Sequence, residues 1–304
     1  LVCLTGSIIL KLDHSSIVFN IRFNSLVRFM NKLEHLSVIK VSGDDADEFL
    51  QGQMTQNTKA INNEFIHLTS FCNPKGRVLA TALIQSWNEA YYLILSEDLI
   101  DDLIAWLSRY ILRSQVTISN EEINIFGVSE DEKKNIDESY SLSSNQSLKR
   151  LFNDETRLIL LSYEDESKFK TIDKKEWIIQ DINAGIPLIG TLNSLEYIPQ
   201  MLNLDHLNAI SFSKGCYTGQ EVIARVEHRG KIKQRLYKIE AATDDFFLPQ
   251  IEIIDMDKKV GNVVISSLSE NVCHGLGVIN ISNAGENLSI EGTELKIEEF
   301  IDSH

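Results

Sequence analysis

Apolar residues recur along this chain with two periods, which sorts it into strands and helices before any other property is weighed. Residues 36–41 and 65–71 read as strands. Between them Ala46, Phe49, Leu50 and Met54 fall at helical spacing, so 45–56 predicts an amphipathic helix, with Gly43 and Asp44 offering its turn and N-cap. Asn73-Pro74-Lys75-Gly76 is a turn with its first φ pre-set by proline. Strands follow at 77–85 and 90–95, split by Asn88-Glu89. Ser96 is placed to cap a helix whose stripe is Leu99, Leu103, Ile104, Leu107 and Ile111. Two more strands are expected at 115–119 and 123–128. Residues 129–150 are polar and nearly without apolar positions, so no stable element is expected there. Strand character resumes at 158–162. The segment 177–182 leads into Ala184-Gly185-Ile186-Pro187, with Trp177 fitting a core position on a strand. From Leu236 onward six short β-rich runs alternate with turns, the pattern of a small barrel. The fold class is α+β.

Composition narrows the function more than the fold. Fifteen glycines and four prolines are about half of ordinary usage for this length, which excludes collagen-like and Pro/Gly-rich disordered chains. No apolar run approaches the roughly 20 residues a membrane-spanning helix needs. Cys3, Cys72, Cys216 and Cys273 are far apart with no C-x-x-C pair, so neither a disulfide framework nor a metal site is expected, and reduced thiols in the cytoplasm fit best. A net charge of −15 argues against DNA or anionic membranes as partners of the whole surface. Residues 1–29 carry Lys11, Arg22 and Arg28 against Asp13 alone, and strand patterning begins only after Met30. We take 1–29 as an upstream extension.

The sharpest local feature is Lys214-Gly215-Cys216-Tyr217-Thr218-Gly219-Gln220-Glu221. Two glycines bracket the Cys-Tyr pair, which frees the backbone for left-handed φ or close approach. Residues 220–226 read as helical, so the cysteine stands just before a helix N-terminus, where the dipole favours thiolate. Lys214 adjoins it and Arg225 lies one turn beyond Glu221, both in a position to assist. The plain alternative is a small thiol in a tight turn. The octapeptide is poor core material and good loop-site material. Neither His206 nor His228 completes a recognisable Cys-His hydrolase signature.

KGCYTGQE, with YIPQMLNLDHLNAISF before it and VIARVEHRGK after it, resembles the signature of the bacterial YgfZ family. These are folate-binding, tRNA-modification-linked proteins related to the glycine-cleavage T-protein, an aminomethyltransferase. FLQGQMTQNT (49–58), CNPKGRVLA (72–80) and WIIQDINAGIPLIG (177–190) extend the resemblance in the family's order. It implies a three-part ring-like aminomethyltransferase-type fold around a folate cavity, ending in a C-terminal β-barrel. The implied domains are 30–114 with 173–235 for folate, 115–172 as a second α+β unit, and 236–304 as the barrel. The implied role is an accessory protein, rather than an ordinary enzyme, that supports iron–sulfur enzymes such as those that thiomethylate tRNA. Tetrahydrofolate or a derivative, including polyglutamylated forms, is the implied cofactor, and Cys216 the functional thiol. Trp177 matches the family's folate-contacting tryptophan.

Departures from the family pattern bear on chemistry. Leu36 stands where relatives often carry an aromatic residue, and Asn183 where an acid contacts the pterin, so charge assistance is lost. T-proteins carry an Asp-Asp pair where Leu79 and Ala80 stand here. An apolar pair cannot orient a folate amine, which argues against aminomethyl transfer, the alternative function. Arg225, Arg229, Lys231, Lys233 and Arg235 face one acid, Glu227. That segment suits the glutamate tail of folate, and Lys75 and Arg77 join it if the fold brings their turn near. A direct tRNA-binding module is the third reading. It has little support because no aromatic residues interleave the cations.

Overall fold

A computed structural model describes residues 31–62, 64–129, 142–152, 154–164, 171–285 and 287–300. The extension expected at 1–29 lies outside these residues, as do 130–141 of the polar stretch. Nine strands form one sheet in the order β5-β1-β4-β3-β2-β7-β8-β6-β9. Its first half contains β1 (Leu36–Ser42), β2 (Phe65–Cys72), β3 (Val78–Trp87), β4 (Ala90–Ser96) and β5 (Thr117–Glu121). Asn88 and Glu89 both take positive φ, 48° and 58°, which matches the twist of the β3–β4 hairpin. The 73–76 turn is held by the Asn73 side chain, which accepts from the Lys75 and Arg77 amides at 2.9 and 3.0 Å.

The second half contains β6 (Asn124–Ser129), β7 (Gln146–Leu151), β8 (Asp154–Ser162) and β9 (Thr171–Ile172). Among the described residues its strand ladder to the first half consists of two parallel residue pairs, Phe65 with Arg150 and Ile66 with Leu151. β7 corrects the expectation of an unstructured 129–150. Its buried positions are Ser147, Lys149 and Leu151, so the inward alternation is real but mostly polar and carries no hydrophobic signal.

Among the described residues four α-helices pack on this frame. α1 (Ala46–Gln51) stops at Gly52 instead of running on to 56, and Asp45 rather than Asp44 is its N-cap. The Asp45 carboxylate accepts from the Gln115 amide at 2.6 Å, not from its own helix. α2 (Ile100–Ser108) buries Ile100, Leu103 and Leu107, and Ser96 contributes no cap to the 3-10 turn before it. α3 (Lys174–Asn183) is capped by Asp173, which accepts from the Glu176 amide. Trp177 therefore stands on a helix and not on a strand. α4 (Gln220–Arg229) follows the cysteine loop as expected.

The remaining strands are β10 (Gln234–Ala242), β11 (Glu252–Asp255), β12 (Lys258–Ser269), β13 (Val272–Asn280), β14 (Leu288–Ile290), β15 (Thr293–Glu294) and β16 (Lys296–Glu299). They form a second sheet in the order β15-β14-β11-β12-β13-β10-β16. β15, at one edge, comes back into contact with β10 near the other, so the sheet curls as a barrel. Tyr237, Ile239, Phe247, Ile253, Val263 and Ile279 fill its core. A separate core spans both halves of the nine-stranded sheet and α3.

Candidate functional site

Cys216 is exposed, on a loop whose neighbours are fastened beneath it. Lys214 is buried, and its Nζ donates to Met54 O at 2.8 Å and Gln56 O at 2.7 Å. The same ammonium lies 5.0 Å from the Tyr217 ring centroid. Burial pulls its pKa down to about 8, with Asp47 opposing. The Thr218 amide donates to Gly52 O at 3.1 Å, and its hydroxyl lies 3.3 Å from Gln53 Oε1. Gly219 has φ +88°, and a Cβ there would sit 2.7 Å from Asn73 O and 3.1 Å from Cys72 Cβ. Gly215 by contrast opens onto free space. Three separate stretches of chain, 49–58, 72–80 and 214–221, thus meet under one thiol. Lys214, expected to assist the cysteine, instead ties its loop to the α1 turn.

Burial separates the thiols. Cys72 is enclosed, and desolvation pushes its pKa up to about 12 despite a contact with Ser70. Cys273 is also buried, inside the barrel. The Tyr217 hydroxyl is buried without a hydrogen-bond partner, and burial, with Cys72 nearby, raises its pKa. Glu221 and Arg225 are exposed on α4, and Gln220 is half-buried.

A second feature lies on the inner face of the nine-stranded sheet, under α3. Leu36, Leu68, Thr81, Leu83, Ile94, Trp177 and Asp181 are among the residues around a cavity of about 20 Å³. Leu36 and Trp177, singled out separately from the sequence, are brought together here. Trp177 is 0% exposed, and its Nε1 has no hydrogen-bond partner. The Arg157 guanidinium lies 4.8 Å from its ring centroid and pairs with Asp181 at 2.7 Å. A Cβ on Gly127 would fall 2.3 Å from the Trp177 ring, so glycine is required where the indole lies on β6. Thr81 locks the 184–190 segment to β3, donating to Pro187 O at 2.8 Å and accepting from the Ile189 amide at 3.0 Å.

Asn183 is exposed and outside this lining. The carboxylate that does reach the cavity is Asp181, which the sequence reading overlooked. The available signal was its spacing four residues after Trp177, which places both on one helix face. Leu79 and Ala80 are core residues at 8% and 0% exposure.

The basic segment divides. Arg225, Arg229, Lys231 and Lys233 are exposed. Arg235 is a brace, 2.7 Å from Asp205 Oδ1 and 2.8 Å from Gln200 O. The 73–76 turn does come down on α4, since a Cβ on Gly76 would meet Val222 at 2.9 Å. Lys75 is exposed there, whereas Arg77 donates to Glu196 O. His206 stands 3.8 Å from the Asp205 carboxylate, and His228 lies against Phe212. Among the described residues no helix is long and apolar enough to cross a membrane.

Comparison with known proteins adds a family to this geometry. The model of the GCVT N-terminal domain matches residues 29–129. An uncharacterized protein of Haemophilus influenzae is 33% identical over 213 residues, 69% of this chain and 73% of that protein. A protein named tRNA-modifying protein YgfZ, from Hamiltonella defensa, is 30% identical over 67% of this chain and 68% of its own length. One of the same name from Pectobacterium carotovorum is 27% identical over 79% of each. The structure of aminomethyltransferase T of the glycine cleavage system from Bartonella henselae superposes with a TM-score of 0.66. It covers 88% of this chain and 84% of its own at 12% identity, a likeness of fold.

Proposed function

Because this chain belongs to the YgfZ family of tRNA-modifying proteins, we propose that it is a folate-binding accessory protein that supports iron–sulfur enzymes, and through them tRNA thiomethylation, with Cys216 as its working thiol. The observation that carries this reading is the exposed thiol on a loop that two distant stretches of chain, 49–58 and 72–80, hold in place. A cysteine kept only to fill a turn does not need a buried ammonium and a left-handed glycine packed on a neighbouring turn around it, and a buried one would be inert. Reduced folate is assigned to the inner-face cavity because its donor set suits a pterin in kind. Trp177 brings an indole N–H with no partner, Asp181 a carboxylate, and Leu36, Leu68 and Leu83 apolar walls. Its volume, about 20 Å³, is that of a water site. A pterin ring requires the 186–188 wall to part from β3. The exposed cations of α4 and its C-terminal extension suit the glutamate tail.

Aminomethyl transfer is disfavoured by the apolar, buried Leu79 and Ala80. Direct contact with tRNA is favoured by Arg225, Arg229, Lys231 and Lys233 alone. Steep salt dependence of tRNA binding would support it. The deciding experiment is complementation of a strain lacking its own homologue, scored by thiomethylated tRNA nucleosides at matched expression. Wild type should restore the modification, Cys216→Ala should not, and Trp177→Ala should be impaired. Restoration by Cys216→Ala at the wild-type level makes the cysteine a turn residue and overturns the mechanism.

A further inference from the structure

At the seam between the two halves of the nine-stranded sheet, β7 pairs with the start of β2, and two of its side chains reach past that start to β3. Ser147 on β7 donates to Gln85 Oε1 at 3.1 Å, and the Lys149 ammonium makes its one hydrogen bond with Ser86 O. Gln85, Ser147 and Lys149 are 0%, 5% and 8% exposed. Gln85 Nε2 is fully enclosed and has no acceptor. A largely buried ammonium and an enclosed amide donor therefore stand together, and among the described residues no carboxylate pairs with either. Desolvation alone acts on Lys149, drawing its pKa down to about 8, and Lys149 in turn helps to hold His67 neutral. A buried cation without a counter-charge is among the least favourable arrangements a core can hold. The register places it on the face of the cavity: Lys149 pairs with Ile159, Ile159 pairs with Gly127, and Gly127 lies under Trp177. Gln85 stands two residues beyond cavity-lining Leu83 on the same strand face.

We propose that Lys149, Gln85 and Ser147 form a buried binding site for an anion of carboxylate or halide size, the missing counter-charge of Lys149. The group that fills it is either a free monovalent anion or the carboxylate of a larger ligand reaching along the inner face. Bromide is the probe. The full chain is melted in increasing sodium bromide, with sodium gluconate holding ionic strength constant. The expected result is a saturating rise in midpoint of roughly 2–5 °C for wild type. Gln85→Glu supplies its own carboxylate, so it should melt higher than wild type in gluconate and ignore bromide. Lys149→Met should also ignore bromide. Crystals grown in bromide should show an anomalous peak beside Lys149 Nζ. Bromide that weakens reduced-folate binding identifies a ligand carboxylate as the natural occupant, and bromide that leaves it unchanged identifies a free anion; either supports the site. The proposal is overturned by an equal bromide response in wild type and both variants. It is equally overturned by Gln85→Glu melting below wild type, or by a crystal with no peak and the Gln85 carbonyl turned onto Lys149.

Discussion

The two motif glycines should respond in opposite ways to the same added methyl. Gly219 holds φ +88°, a region that costs an L-residue roughly 1–2 kcal/mol. Its Cβ would also arrive 2.7 Å from Asn73 O. That oxygen belongs to a turn already fixed by three hydrogen bonds, from the amides of Lys75, Gly76 and Arg77 to Asn73. The obstacle is backbone, so relief requires moving the turn or α4, at a further roughly 1–3 kcal/mol. Gly219→Ala should therefore lose about 2–5 kcal/mol, a large part of the roughly 5–15 kcal/mol that holds most domains folded. At Gly215 nothing lies within 4 Å and φ is not positive. Gly215→Ala should change stability by less than about 1 kcal/mol, with a slight gain from the less flexible unfolded chain. Urea midpoints measure both. The rate at which Cys216 reacts with an aromatic disulfide reagent reports whether the loop still stands, and it should change only in Gly219→Ala. An unshifted midpoint for Gly219→Ala, or equal damage from both, would refute the packing argument.

Three further outcomes follow from burial and charge. Brief exposure of the native protein to a maleimide, mapped by peptide, should modify Cys216 and spare Cys72 and Cys273; Cys216→Ser should remove the fast adduct on the 214–221 peptide, and rapid modification of Cys72 would contradict its enclosure. His35 has both ring nitrogens buried without partners, and burial, aided by Lys174, lowers its pKa to about 4. The unfolded chain then binds the proton more tightly, so this contribution is intact above pH 6.5 and is lost as pH falls toward 4, on the order of 3 kcal/mol in all. His35→Leu should flatten that part of the stability profile relative to wild type, and parallel profiles would exclude it. Arg157→Met removes the cation from a carboxylate only 9% exposed and should cost about 3–5 kcal/mol. Adding Asp181→Leu should recover most of that loss in urea unfolding, and failure to recover would place the cost in lost packing on Trp177.

The strand and barrel runs, the 73–76 turn and the helix after Gly219 were legible because each has a local cause. Alternation, a proline-set φ or a left-handed glycine can be read from a few neighbouring residues. β7 was not legible, because the residues it turns inward include Ser147 and Lys149, and patterning sees burial only when it is apolar. α1 ran short of its periodic signal because Met54 is buried by an antiparallel bridge with Phe71, a long-range contact that imitates the helical stripe. The site was legible as a set of residue blocks, whereas their roles depended on tertiary partners. Lys214 looks like a thiol's helper in sequence and is a tether in space, because the carbonyls it reaches lie 160 and 158 residues away. Arg235 looks like part of a cationic patch until Asp205 is seen beside it.

Thiol and cavity share β3 but sit at different places along it. The cysteine loop rests on the turn before the strand, through Gly219 against Asn73 and Gly76. The cavity begins at Thr81, five residues after Gly76, about 16 Å along an extended chain. On the proposed assignment a folate ring beside Trp177 lies at a different place on β3 from the turn that carries the Cys216 loop, so the two functions should come apart under mutation. Trp177→Ala should abolish binding of a reduced folate, followed by calorimetry, and leave the reaction rate of Cys216 with a neutral thiol reagent unchanged. Cys216→Ala should leave folate affinity unchanged and still abolish tRNA thiomethylation in the complemented strain. Loss of folate affinity in Cys216→Ala would place the ring at the thiol loop and refute its assignment to the cavity under α3. A changed Cys216 rate in a folded Trp177→Ala protein would show that the two ends of β3 communicate, and the separation argued from the strand would fail.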